Sequence, residues 1–327
     1  MLVREDTGKF LSQRDTPRMC LLRPQLVPDD APSRGTSHHR HRDAALILHP
    51  PPGVPLPPLR VPLDPPSPSK ARTATVWGFT GAALDEGDEA ADWCTRAIAA
   101  GGEDGGGNKT PPTRRVRLVR HAPELNLRTV DPNFALPGTT VGFADEFPIL
   151  AATEGSLADL NARLKKKDPH APDLQMARFR PNLVFSGGEA TDSPWADDGW
   201  ARVRVSGGGG GGGDQALSPS SSSSSSSCEL AYVKPCSRCK VTTVDPESGA
   251  LTPGEQPLPA LRAFRSGSAL GWDARRPAFK HAVFFAWNVQ PVVAKNGGYE
   301  AYAGEEAPLC VLERGSRAEV VARRAWE

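Results

Sequence analysis

Two cysteines, Cys236 and Cys239, sit in the segment Val233-Lys234-Pro235-Cys236-Ser237-Arg238-Cys239-Lys240. Lys234, Arg238 and Lys240 surround the sulfurs with positive charge. Cationic neighbours lower a thiol pKa and favour thiolate, the form that binds metals. A soft thiolate suits molybdenum, copper or zinc. Three readings of these residues stand side by side. A structural zinc site takes four ligands, commonly as two pairs. Here there is one C-x-x-C, Cys228 is near but follows a serine run, and no H-x-x-x-H is present. A thioredoxin-like dithiol takes a βαβ setting, which the pattern around Cys236 lacks. Two buried structural cysteines need no further partner at all.

The elements that would carry such a site follow from the apolar pattern. Leu2-Val3 and Phe10-Leu11 flank the turn signal Asp6-Thr7-Gly8 and predict a hairpin. Leu59 to Leu63 and Ala74 to Phe79 are strand-like, and Arg115 to Val119 alternates as a half-buried strand does. Asp88 to Ala100 places Ala91, Cys94 and Ile98 on one helical face. Ser156-Leu157-Ala158-Asp159 predicts a helix start with Ser156 as its cap. Leu157, Leu160 and Leu164 form its buried stripe, and Lys165-Lys166-Lys167 suit the negative end of its dipole. Asn182 to Phe185, Ala201 to Val205, Leu230 to Val233 and Lys240 to Val244 predict strands. Strands and helices do not alternate regularly, which disfavours a doubly wound sheet. The fold class is α+β, mostly β.

Composition narrows the function classes. The 327 residues hold 33 Pro and 32 Gly, a share well above the usual value of roughly 12%. The excess is clustered in Pro28 to Ser69, Gly101 to Pro112 and Ser206 to Ser227, stretches predicted not to pack because they bury too little to offset backbone entropy. The His38-His39-His41 cluster falls in the first of these and reads as a solvated insertion. Lys plus Arg (39) nearly equals Asp plus Glu (38), which argues against non-specific nucleic-acid binding. No apolar run reaches the roughly 18 residues of a membrane helix, and no secretory signal opens the chain. Six cysteines without such a signal do not make a disulfide framework.

The cysteine segment resembles the motif of the MOSC domain family, in particular its mitochondrial amidoxime-reducing branch and that branch's plant and algal relatives. The resemblance extends beyond one motif. Ala177-Arg178-Phe179-Arg180-Pro181-Asn182-Leu183-Val184 is similar to the family's A-R-F-R-P-N strand, and Ser156 to Asn161 to its S-L-A-D-L-N helix start. Asp145 to Leu150 resembles its acidic residue before a short apolar run. Leu258 to Arg265 with Gly271-Trp272 resembles its L-x-x-L-R segment and the turn beyond. Phe10 to Arg18 resembles a strand pair of the companion N-terminal domain. The matches keep their order along the chain.

The resemblance implies a MOSC-type β-barrel core with flanking helices and a partial N-terminal β domain. The implied domains are 1–125, with insertions at about 28–58 and 101–112, and 126–323, with the Gly/Ser insertion 206–227. It also implies a bound molybdenum cofactor, with Cys239 as thiolate ligand of the metal. Arg180, Asn182, Ser237 and Arg238 would hold the pterin or its phosphate, where an Arg fork is the strongest donor available. Asp145 would stand beside the metal as a proton-handling carboxylate. Read from residues alone, Arg180 and Asn182 could equally pair with strand neighbours, and Asp145 could be an exposed turn acid. The implied reaction is reduction of N-hydroxylated substrates such as amidoximes, with electrons from cytochrome b5 and its NADH-dependent reductase. A second implied role is that of a cofactor or sulfur carrier without turnover, since the MOSC module also occurs fused to a pyridoxal-phosphate sulfurase. The family's opening strands are expected to be absent, with any targeting or anchor region, leaving an intracellular chain, cytoplasmic or mitochondrion-associated, or an inactive truncated product.

Overall fold

The computed structural model describes residues 1–27, 44–64, 69–99, 114–207, 227–295, 298–302, 310 and 312–324. The expectations for Gly101 to Pro112, for 28–43 with its histidines and for nearly all of the Gly/Ser run lie outside the described residues. The chain is α+β and strand-rich. It divides into two compact units, Met1–Arg128 with Lys240–Glu255, and Thr129–Cys239 with Gln256–Glu327.

The first unit opens with the predicted hairpin. Strand β1 (Leu2–Arg4) turns at Gly8 and returns along Lys9 and Phe10. Gly8 has φ +67°, and a Cβ there would stand 2.6 Å from the Thr73 carbonyl oxygen, so glycine is required. Strands β2 (Arg23–Val27), β3 (Ala45–His49) and β4 (Leu59–Pro62) form one antiparallel sheet. Strand β3 corrects the expectation that 28–58 stays unpacked. Its Ala45 is 0% exposed and Leu48 packs into the core, because four apolar residues in a row suffice for a strand even among Pro and His. A second sheet has the order β1-β7-β6-β5, with β5 (Ala71–Val76), β6 (Phe79–Asp85) and β7 (Val116–Arg120). The single strand predicted over Ala74 to Phe79 is broken by a turn at Trp77, whose φ is +53°. Helix α1 (Gly87–Ala99) buries Ala90, Trp93, Cys94, Ala97 and Ile98, a helical stripe with acidic Asp88 and Glu89 at its N-terminus.

Strand β7 departs from the predicted alternation, since Arg117 is buried among its apolar neighbours. Its Nε and Nη2 reach the two oxygens of Asp85 at 2.9 and 2.7 Å, and Glu5 and Asp88 complete the set. Burial alone would raise the Asp85 pKa, but hydrogen bonds from Arg117, the Gly87 N–H and Arg72 outweigh it and hold it low. The strand predicted over Lys240 to Val244 is instead a 3-10 turn, Lys240–Thr243. The Thr243 hydroxyl donates to the Lys240 carbonyl at 2.8 Å, a local bond that competes with ladder pairing.

A short ladder, β8 (Arg128–Thr129) with β9 (Thr140–Val141), leads into the second unit. There β10 (Ile149–Thr153), β11 (Leu183–Phe185), β12 (Trp200–Ser206), β13 (Ser227–Ser237), β14 (Phe284–Lys295), β15 (Gly298–Ala301) and β16 (Arg317–Arg323) make one sheet. The order is β11-β10-β14-β13-β12-β16, with β15 beside β14. Only β10 and β11 run parallel, and their crossover holds helix α2 (Glu154–Lys167). The sheet has two apolar faces. Ala151, Trp200, Val203, Leu230, Tyr232, Trp287 and Val289 pack on one side. Ala152, Phe179 and Phe285 meet Leu160 and Leu164 of α2 and Leu261 of a later helix on the other. Ala151 and Ala152, adjacent on β10, point to opposite faces as the pleat requires, whereas Phe285 and Trp287, two apart on β14, also face opposite ways because Ala286 between them has φ +70° and interrupts the alternation.

Thr153, not Ser156, caps α2 by accepting the Ser156 N–H at 3.4 Å. Ser156 is buried inside the first turn, where its hydroxyl accepts from Trp195 N–H at 3.0 Å and donates to Asp197 at 3.4 Å. A short helix α3 (Glu189–Asp192) precedes that corner. Helix α4 (Leu258–Arg265) ends in a buried Arg265 that grips Asp198 through both terminal nitrogens, at 2.6 and 2.9 Å. Trp287 Nε1 donates to the same carboxylate at 3.2 Å.

Two outcomes follow. Arg117→Met leaves Asp85 buried without its main partner and should destabilise the first unit by about 3–5 kcal/mol in denaturant unfolding, whereas loss of an exposed ion pair such as Arg163–Asp159 should change stability by under about 1 kcal/mol. Burial, with a push from Asp198, raises the Asp197 carboxyl to about 7, against opposition from Arg265 and Ser156. An acid raised on folding stabilises fully below its unfolded pKa of about 4, and that stabilisation is lost as pH rises through about 7. Asp197→Asn should therefore flatten the fall in denaturant midpoint between pH 5 and pH 8; an undiminished fall would remove Asp197 as its source.

Candidate functional site

The residues singled out in the sequence come together along one edge of the second unit. Two chain segments build it. The first is the turn before β11. A 3-10 turn, Met176–Phe179, is anchored by Phe179, which is 0% exposed and stacks on Phe285 with ring centroids 3.8 Å apart. Arg180 closes this turn in the left-handed region, φ +56° and ψ +43°. Such a conformation costs a non-glycine residue on the order of 1–3 kcal/mol and persists where its surroundings fix it. The fixing groups are on either side. Phe179 is locked in the core, and Asn182 is bound to β10. Asn182 N–H donates to the Leu150 carbonyl, and Asn182 Oδ1 accepts the Leu150 N–H, both at 2.8 Å. Between them the Arg180 side chain is exposed, with no ion-pair partner among the described residues.

The second segment is the end of β13. Its pairing with β14 shifts register between Tyr232 and Lys234 and again between Pro235 and Ser237. Irregularities of this kind re-aim side chains at a sheet rim. Pairing ends with Ser237 opposite Phe284 and the Arg238 N–H on the Val283 carbonyl at 2.7 Å. Arg238 then joins the two segments. Its Nη2 donates to the Phe179 carbonyl at 2.8 Å and its Nη1 to Cys236 Sγ at 3.0 Å. Its Nε is buried with no protein acceptor. Ser237 and Cys239 are exposed at the same edge, and Cys236 is half-buried.

The electrostatics differ from the sequence expectation. Lys234 is paired with Glu146 at 3.0 Å and Lys240 with Glu255 at 2.8 Å, so two of the three cations beside the sulfurs are neutralised. Burial pushes the Cys236 thiol up. Arg238 opposes that push, and the charges of Glu146 and Asp145 add to it. Asp145, exposed in the loop before β10, is thus close enough to act on Cys236. Sequence reasoning missed the Lys234–Glu146 pair and the Phe179 carbonyl as partner of Arg238. Neither has a local signal, because the partners lie 88 and 59 positions apart.

Among the described residues, no three His, Cys, Asp or Glu side chains converge to hold a metal ion. The edge instead offers one exposed thiol, an exposed guanidinium and a buried Nε–H in want of an acceptor. That donor set fits an anionic group that brings its own metal ligands better than a bare ion.

Residues 138–288 match the MOSC domain, and residues 1–100 match the MOSC N-terminal beta barrel domain. The chain belongs to the MOSC domain family. It is similar to human "Mitochondrial amidoxime reducing component 2", 26% identical over 81% of this chain and 61% of the relative. It is 30% identical to human "Mitochondrial amidoxime-reducing component 1" over 63% of this chain and 49% of the relative. To the protein of that second name from Danio rerio it is 31% identical over 55% and 43%. The matched part of the chain thus spans about three-fifths or less of these relatives. No helix among the described residues is long and apolar enough to cross a membrane.

Thiol exposure predicts an order of reactivity. In a brief iodoacetamide pulse on the folded protein, Cys239 should alkylate first and Cys236 more slowly. Cys94 should come last, being 0% exposed and pushed by burial up to about 12. Peptide mass spectrometry reads the order, and modification of Cys236 ahead of Cys239 would refute the geometry described here.

Proposed function

We propose that this protein is a molybdenum-cofactor-dependent reductase of N-hydroxylated compounds such as amidoximes and hydroxylamines. The observation that carries the reading is the Arg238 bridge, which sets the cysteine segment and the Arg180 turn side by side with the Cys239 thiol exposed between solvent and the sheet edge. The relatives' names supply the chemistry; the donor set supports the fit. A single protein thiolate is what a pterin-bound metal would require, since the pterin dithiolene provides the other sulfur ligands.

In this reading Cys239 holds the metal. Arg180, with its exposed guanidinium, would bind the cofactor phosphate, and Arg238 would offer its remaining Nε–H while its fork keeps the two segments in register. Ser237 contributes a hydroxyl at the rim, and Asn182 acts mainly by fixing the Arg180 turn. The cofactor would supply two-electron reduction of the N–O bond. Asp145 would hold and deliver a proton to the departing oxygen, so that amidoxime, two electrons and two protons give amidine and water. Electrons would reach the site from outside the chain, from cytochrome b5 fed by its NADH-dependent reductase, as the family resemblance implies.

Metal analysis and turnover separate the possibilities. The purified chain should contain molybdenum and should reduce benzamidoxime with reduced cytochrome b5. Cys239→Ser should lose most of both. Asp145→Asn should keep the metal and lose roughly 10²-fold or more in turnover, the usual weight of a general acid. Equal molybdenum in wild type and Cys239→Ser would overturn the ligand assignment. Molybdenum without turnover would instead favour a carrier of the cofactor.

A further inference from the structure

Phe134 lies in the loop between β8 and β9, and two cations from different segments meet its ring. Arg276 Cζ stands 4.1 Å from the ring centroid and Lys234 Nζ 4.9 Å. The ring also stacks on Phe279, with centroids 6.0 Å apart and planes inclined by 13°. Phe279 in turn packs on Phe284, centroids 5.0 Å apart, and Phe284 is the residue opposite Ser237 where β13 ends. Lys234 leads back to the loop before β10 through its ion pair with Glu146, the chain neighbour of Asp145. The Phe134 cluster therefore borders the functional edge by two routes, one through Ser237 and one through Glu146.

The two cations differ. Lys234 is half-buried and neutralised by Glu146. Arg276 is exposed, and among the described residues its guanidinium has no hydrogen-bond or ion-pair partner. Hydrogen bonds from Asn133 hold the Asp131 carboxyl low against burial, and the charges of Lys234 and Arg276 add to that shift without pairing with it. The Arg276 backbone is fixed on both sides. Its N–H donates to the Trp272 carbonyl at 3.0 Å, and its carbonyl accepts the Phe279 N–H at 2.8 Å. A guanidinium held over a ring keeps its donors available and has given up rotamer freedom before a ligand arrives. Arg275 and Lys280 are also exposed but sit over no ring among the described residues.

We propose that Arg276, positioned by Phe134, binds a carboxylate carried by the substrate, so that the protein prefers anionic N-hydroxylated aryl compounds to neutral ones of the same shape. The identity of the substrate rests on the reductase reading above; the carboxylate site does not. The arginine fork matches a carboxylate with two parallel N–H···O bonds. Phe134 and Phe279 offer an aromatic wall for the ring that carries it. Asp145 and the Glu146 carboxylate disfavour a second negative charge at the reacting end. The charge pattern thus sets which way round such a substrate enters.

Calorimetric titration of the purified chain with para-carboxybenzamidoxime and with its neutral carboxamide counterpart tests the site without any electron supply. Wild type should bind the carboxylate about five-fold more tightly at low ionic strength, the scale of an exposed ion pair in good geometry. The preference should shrink as salt is added. Arg276→Gln should bind the two compounds equally. Phe134→Leu keeps the charge and an apolar side chain but removes the ring, and it should show a smaller preference than wild type. Turnover with reduced cytochrome b5 should repeat the preference in kcat/KM, carried by KM. Equal affinities in wild type would overturn the proposal while leaving the reductase reading in place. So would a preference that survives in Arg276→Gln. An Arg276→Gln protein altered only in its KM for cytochrome b5 would assign the residue to the electron donor and overturn the proposal as well. An affinity preference without turnover of either compound would support the carboxylate site and overturn the reductase reading alone.

Discussion

The Arg238 guanidinium is the contact on which the functional edge depends. Two segments far apart in sequence meet there, and at their exposed ends a polar contact joins them beyond the Phe179–Phe285 stack. One planar fork does it, taking the Phe179 carbonyl on one nitrogen and the Cys236 sulfur on the other. Arginine suits this task because its donors are fixed in a plane and its charge cannot be titrated away. A lysine at position 238 could reach one acceptor but would not impose the angle between the two. The bond to Phe179 also bears on Arg180, because the carbonyl it holds belongs to the residue that immediately precedes the left-handed turn. Restraint of Phe179 by its stack on Phe285, and of Asn182 by its paired bonds to Leu150, leaves Arg180 little choice of backbone.

Behind this edge the sheet is stiffened by charge buried in a controlled way. Arg265 ends α4 inside the core, and its ion pair with Asp198 is shared with Trp287 Nε1 on the central strand β14. A bidentate pair with a further donor satisfies most of the carboxylate, which is the condition under which a buried ion pair is tolerated. Asp197 next to it has no cationic partner of its own and is pushed toward its neutral form. Of two adjacent aspartates, Asp198 is gripped by Arg265 while burial shifts Asp197 toward its protonated form, and Asp197 accepts the Ser156 hydroxyl at the start of α2. The first unit uses the same device, with Arg117 buried against Asp85. There the charged pair replaces an apolar residue in the middle of β7, which is why the burial of that strand does not alternate.

Much of the architecture was legible where local chemistry and the final environment agree. Asp6-Thr7-Gly8 announces its hairpin because a left-handed glycine has few other uses. The apolar stripe of α1 and the Leu160/Leu164 stripe of α2 declare their buried faces. The misreadings have local causes, in which one short-range signal outweighed another. Val241 to Val244 looks like a strand by β-branched content, but the Thr243 hydroxyl bonds the Lys240 carbonyl in a 3-10 turn instead. Ser156 looks like a cap, but Thr153 lies at the true end of β10 and takes that place. Strand β3 was hidden because proline and histidine on its flanks drowned four apolar residues. For the edge itself, the grouping of Arg180, Asn182, Ser237, Arg238 and Cys239 could be anticipated only as a set of motifs. What each side chain touches could not, since Arg238 meets its partner across 59 positions and Asn182 spends its amide oxygen on the backbone of a strand 32 positions earlier.

The two cysteines of the motif illustrate how a structure divides labour between identical groups. They are three residues apart and begin with the same cationic neighbours. Strand β13 ends between them. Cys236 remains within the last irregular pairing, where burial disfavours its thiolate and Arg238 uses its sulfur as an acceptor. Cys239 falls beyond the last bond to β14 and stands exposed. The thiol tied into the sheet is then a support for the guanidinium that aligns the edge, while the thiol beyond it is exposed to solvent. Were the strand to end three residues earlier, both sulfurs would lie beyond the sheet, and the Val283 carbonyl would lose the Arg238 N–H that marks where the pairing stops. The position of that one backbone bond therefore decides which sulfur is held in the sheet and which is exposed.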